Sequence, residues 1–131
     1  MRNKQNWYWN GKNKVGPFSL GKKVSAYNDL TKLTRYPEED YDTYQPKNAK
    51  LSKVFATSGV INSIQCGESF INHGVELIGK TVSEVKENFS NYVFNDYEEQ
   101  FISKCGIIKF FEVEKEVRYI IINQVKRITT G

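Results

Sequence analysis

At 131 residues, with 39% hydrophobic and 26% charged side chains, the chain has the make-up of an ordinary soluble globular protein with room for a single core. It holds no apolar run long enough to cross a bilayer. Its start, "MRNKQNWYWNGKNK", is basic without an apolar stretch behind it, which argues against a secretory signal and makes the cytoplasm the expected location. The net charge of +4 conceals a basic first third (Arg2, Lys4, Lys12, Lys14, Lys22, Lys23, Lys32 and Arg35 against Asp29), then acidic blocks at 38–42, 95–100 and 112–116, a layout of opposed patches rather than one basic face.

In chain order, "WYWNG" (7–11) reads as an aromatic strand running into a turn, with Trp7 and Trp9 as core residues of an edge strand or, less simply, as anchors for a partner. "GPFSLGKKVS" (16–25) follows, and Val24, Tyr27, Leu30 and Leu33 then fall on one face of a short helix whose cap, Ser25 or Lys23, is weakly specified. "RYPEEDYDTY" (35–44) is an acidic, tyrosine-rich stretch in which Pro37 bars a continuing helix. Residues 51–66 predict a hairpin that turns at "TSG".

"SFINHG" (69–74) is again an aromatic strand entering a turn, followed by "GVELIGKTVS" (74–83). Thr81 and Glu84 have the spacing of a capping box, and Val82, Val85 and Phe89 mark the apolar face of the helix it opens. "VFNDYEEQF" (93–101) is a second acidic-aromatic stretch. Residues 107–123 predict a second hairpin with "EKE" at its tip, and the near-continuous "YIII" suggests a central strand covered on both faces.

The two halves echo each other. Gly16, Gly21, Lys22, Val24 and Ser25 match Gly74, Gly79, Lys80, Val82 and Ser83, and the aromatic turns and hairpins recur in the same order. The expected architecture is therefore α+β: an antiparallel sheet with two short helices, in a single domain (1–131). It would be built by internal duplication of strand–turn–strand–helix–hairpin, with units 1–66 and 67–131 packed as a pseudo-symmetric pair.

"GVELIGKT" (74–81) fits the spacing of a phosphate-binding loop. Such a loop needs small residues whose N–H groups can turn to an anion. Here the intervening residues are Val75, Glu76, Leu77 and Ile78, three of them bulky and one negatively charged. No later strand ends in a magnesium-binding aspartate, and the first copy has Lys23 where the hydroxyl residue would be. The glycine is better explained as the turn from a strand into a helix cap. No nucleotide-binding residue is assigned.

Catalytic groups are equally hard to assemble. His73 is the single histidine, and Cys66 and Cys105 stand alone, so neither metal spacing nor a nucleophile–base pair is present; the cysteines read as buried thiols. No catalytic residue, metal or cofactor is expected. Tyrosine beside carboxylates suits protein binding, since the rings give stiff contact area and the charges steer a basic partner. The candidate binding residues are accordingly Glu38, Glu39, Asp40, Tyr41, Asp42 and Tyr44 in the first stretch, and Asp96, Tyr97, Glu98 and Glu99 in the second.

The segments "GPFSLGKKVS" and "NHGVELIGKTVSEVKENF", best matched from Gly74 to Val85 and again from Gly16 to Tyr27, resemble small bacterial immunity proteins. These are cytoplasmic antidotes encoded beside polymorphic toxins, including those of contact-dependent growth inhibition. The resemblance implies a non-enzymatic inhibitor that masks the active site of one toxin C-terminal domain, often a nuclease, and that acts as monomer or homodimer away from membranes. The alternative is a nucleic-acid-binding module using the basic first third with Trp7, Tyr8 and Trp9, although the adjacent acidic blocks interrupt any continuous basic track. A ligand-binding or enzymatic groove between the two units is the third reading.

Overall fold

The computed structural model describes residues 6–33, 40–97, 100–103 and 106–124. Its centre is an antiparallel sheet of eight strands in the order β3-β4-β5-β6-β12-β11-β10-β9. The first half supplies β3 (Leu30–Lys32), β4 (Asp42–Pro46), β5 (Lys53–Thr57) and β6 (Val60–Cys66). The second supplies β9 (Val93–Asn95), β10 (Gln100–Ile102), β11 (Gly106–Val113) and β12 (Glu116–Gln124). The halves meet where β6 pairs with β12, Gln65 opposite Ile121 and Ile64 opposite Ile122.

Small elements cover one face of this sheet. They are a hairpin of β1 (Lys14–Val15) and β2 (Phe18–Ser19), a hairpin of β7 (Ile71–Asn72) and β8 (Val75–Glu76), a 3-10 turn at Val24–Ala26, and one α-helix, α1 (Val82–Asn88). The segment around Trp7 to Trp9 joins the two small hairpins: Trp9 N–H donates to Ile71 O at 2.9 Å, Ile71 N–H to Trp7 O at 2.8 Å, and Trp9 bridges Val15. Between the layers lies one apolar core, with Trp7, Phe18, Phe70, Leu77, Val85 and Phe89 from the cover packed over Val54, Ile61, Ile64, Phe101, Ile108, Val117, Ile120 and Ile122 of the sheet. Trp7 and Trp9 are thus core residues, 2% and 7% exposed.

Two-residue turns set the register. Ser58–Gly59, His73–Gly74 and Glu114–Lys115 all take positive φ, the backbone twist that tight hairpins favour. The predicted hairpins at 51–66 and 107–123 form around the first and last of these, and both carry a bulge, at Phe55/Ala56 and Phe111/Glu112.

Of the two expected helices, one α-helix forms. Thr81 Oγ1 accepts from Glu84 N–H and Glu84 Oε1 accepts from Thr81 N–H, both at 3.3 Å, which closes the capping box. In the first half the chain makes only the 3-10 turn, because Lys23 offers no side-chain cap and the first turn carries no acid. Leu30, expected on that helix, lies in β3 instead. Val24, Tyr27 and Leu30 still pack against the core, whereas Leu33 is exposed. The acidic-aromatic stretches, for which the sequence predicts no strand, also contribute strands, β4 in the first and β9 and β10 in the second.

A further correction concerns "YIII". Strand β12 is central, but Ile120 and Ile122 are buried while Tyr119 and Ile121 on its other side stay partly exposed, so the described residues cover it on one face only.

Candidate functional site

Strand alternation gives the large sheet two unlike faces. The covered one is the core. The other, paired across the strands, presents Thr43 and Phe55 beside Ser63, Lys53 beside Gln65, Gln65 beside Ile121, and Lys109 beside Ile121, with Phe111 opposite Tyr119 and Ile107 opposite Asn123. Towards one edge, Val93, Ile102 and Ile107 stand in a row. Val93 is 70% exposed, Phe111 47% and Ile102 37%. An antiparallel sheet that meets water on one face ordinarily alternates apolar with polar residues; here large apolar groups stand on both faces.

A shallow groove of about 360 Å3 opens on this face where the halves meet. Phe55 and Phe111 contribute to its walls, Tyr41 packs edge-on to Phe55 with ring centroids 5.6 Å apart, and Ile121 lies between. Asn62, Ser63 and Asn123 add hydrogen-bonding groups, and Lys109 adds the charge. Lys109 makes no ion pair among the described residues. Lys53, on the same face, donates to Gln45 Oε1 at 2.6 Å and to Lys50 O at 3.2 Å, while Gln45 Nε2 donates to Ala49 O at 2.8 Å. These bonds hold the Lys53 ammonium beside the sheet.

A larger concavity of about 660 Å3 lies on the cover, between Tyr8, Asn10, Lys14, Pro17 and Asp29. Its Trp7 is nearly inaccessible and belongs to the core. Its remaining rim mixes Tyr8 and Pro17 with Asn6, Asn10, Lys14 and Asp29, whereas the smaller groove has Phe55, Phe111 and Ile121 in its walls.

Those of the candidate residues from the acidic-aromatic stretches that the structure describes are not brought together. Glu38, Glu39, Glu98 and Glu99 lie outside the described residues. Asp40 is exposed, Asp42 sits 3.7 Å from Lys32, and Tyr44 packs against the core. Asp96 sits 3.8 Å from Lys86, and Tyr97, almost fully exposed, donates its N–H to Asn95 Oδ1. The two stretches join β3 to β4 and β9 to β10, at opposite edges of the sheet. With every neighbouring pair antiparallel, they also fall at opposite ends of the strands, on the order of 30 Å apart. Of those that are described, only Tyr41 lines the groove.

In the strand–glycine–helix joint the amides of residues 77–81 are all taken up within the protein. Leu77 N–H donates to Phe70 O, Ile78 N–H to Glu76 Oε2, Gly79 N–H to Val117 O, Lys80 N–H to Leu77 O and Thr81 N–H to Glu84. Gly79 itself takes φ of 92°, the turn for which glycine was read. The first joint is anchored in the same manner, Gly21 N–H donating to Ile61 O and Ile61 N–H to Lys22 O.

Cys66 is buried in β6; burial first, then the nearby Glu68 and Glu76, push its thiol well above the ordinary value, so it remains protonated and inert. Cys105 lies outside the described residues. His73 is exposed at the tip of β7–β8. Among the described residues, no three of His, Cys, Asp and Glu come together to hold a metal ion, and no helix is long and apolar enough to cross a membrane.

Comparison with protein-family models, with curated proteins and with solved structures finds no match to this chain.

Proposed function

We propose that the chain is a binding protein that neutralises a toxin domain encoded beside it, in the manner of an immunity protein, and that it docks through the uncovered face of its sheet. The observation that carries this reading is that face: half-exposed Phe55, Phe111 and Ile121 around a groove, extended at one edge by Val93 and Ile102. Several large apolar side chains gathered around one groove, rather than scattered singly, point to an interaction site. At roughly 30 Å across, the face is wide enough for the about 800 Å2 per partner that a stable protein complex buries. A nuclease is the expected class of toxin, and masking of its active site the mode of inhibition.

The same series of elements in both halves supports an origin by duplication: a short hairpin, a helical turn and four strands, with matching glycine joints and matching bulges. The groove then lies on the seam between two related units.

The test is co-expression with the toxin domain encoded next to the gene. Growth should be rescued, and the purified proteins should form a stoichiometric complex by calorimetry. Growth arrest despite full expression, with no heat of binding, would remove the reading.

A further inference from the structure

We infer that the partner meets this protein with an acidic, aromatic-bearing segment seated in the groove, the opposite polarity to that suggested by the acidic stretches. The inference rests on the docking reading above and adds the chemistry of what docks. It follows from where the charges stand.

Alternation places Lys53 and Lys109 on the uncovered face, at corresponding places in β5 and β11, each two residues before a phenylalanine, Phe55 or Phe111. The carboxylates of the described strands lie elsewhere. Asp42 sits on the covered side at the rim beside Lys32. Glu112 pairs with Val117 on that same side, and Glu116, though on the uncovered side, is at the far tip of the β11–β12 hairpin. The centre of the face is thus cationic and aromatic, with amide and hydroxyl groups from Asn62, Ser63 and Asn123.

An unpaired lysine beside apolar walls attracts a carboxylate, and the walls exclude the water that would weaken that attraction. Phe55 and Phe111 offer ring faces or edges to an incoming aromatic side chain. Asp40 and Asp96, next to the ends of β4 and β9 at diagonal corners, would repel the flanks of an acidic partner and so favour the centre.

A single-stranded nucleic acid also carries negative charge and stackable rings. The protein segment is favoured because the described part of the face offers few cations over its whole width, Lys53 and Lys109 with Arg118 at the β12 bulge, too few for a backbone with a phosphate on every nucleotide.

The experiment follows backbone amide NMR signals of the full chain during titration with a random glutamate–tyrosine copolymer, its lysine–tyrosine counterpart and oligothymidylate. The glutamate–tyrosine copolymer should shift strands β5, β6, β11 and β12 and weaken as salt rises. Lys109→Glu should weaken it by roughly tenfold. Lys109→Gln, a milder change in case the reversal disturbs folding, should weaken it less but measurably.

Tighter binding of the lysine–tyrosine copolymer or of oligothymidylate to this face would overturn the inference. So would shifts confined to the corners, no shifts with any probe, or indifference to both Lys109 variants in folded protein. If the toxin is neutralised while the acidic copolymer ignores the face, this inference alone fails. If the copolymer binds the face and no toxin is neutralised, the functional reading fails and the chemistry of the face stands.

Discussion

Glu84 accepts from the backbone N–H of Thr81 and from its hydroxyl, and these bonds, ahead of the nearby Lys80, hold its carboxyl below the ordinary value of 4.5. The folded value lies under the unfolded one, so the contribution is complete above about pH 4.5 and is lost as pH falls through the folded value. Glu84→Gln should therefore flatten the acid limb of the stability profile, measured as the urea midpoint at successive pH values. Thr81→Ala removes the reciprocal partner and should cost about 1 kcal/mol, with Thr81→Ser close to wild type. This cap was legible because its two residues are adjacent in sequence and their spacing alone defines the bond pattern. The exposure of Phe55 and Phe111 was not, since a phenylalanine in an alternating strand reads the same whether or not another layer lies above it.

At the level of elements, the hairpins were legible and the short edge strands were not. β5–β6 and β11–β12 declare themselves by β-branched and aromatic runs bounded by turn residues. β3, with "LTK", and β4, with "DTYQP", hold too few apolar residues to show a period; their neighbours in the sheet make them strands. The failed first helix has the same kind of cause, a few good apolar positions without a cap. At the β11–β12 turn, Glu114 and Lys115 both take the left-handed backbone without being glycine or asparagine. Glu114→Asn with Lys115→Gly should thus stabilise the protein, by about 1 kcal/mol, read from thermal or urea unfolding. Phe89, just beyond α1, packs on Phe70, Tyr92 and Phe101 and is 1% exposed. Phe89→Ala should cost about 3–5 kcal/mol by the same measurement.

For the whole molecule, the pairing of β6 with β12 decides most of the functional geometry. It joins two four-stranded halves into one sheet, sends the β3–β4 and β9–β10 connections to diagonal corners and brings Phe55 and Phe111 to the shared groove. Sequence periodicity could show that the strands are amphipathic, yet which face the small hairpins and α1 cover is a property of the assembled chain. The candidate site therefore moved from the tyrosine-rich loops to the sheet, with Tyr41 the residue they share. The decisive measurement is the affinity for the neighbouring toxin domain, by calorimetry, of four single variants: Phe55→Ala, Phe111→Ala, Asp96→Asn and Tyr97→Ala. Docking on the uncovered face predicts that each phenylalanine variant weakens binding by roughly tenfold or more while the two corner variants change it by less than about twofold. Strong loss at Asp96 or Tyr97, with both phenylalanine variants binding as wild type, would contradict it.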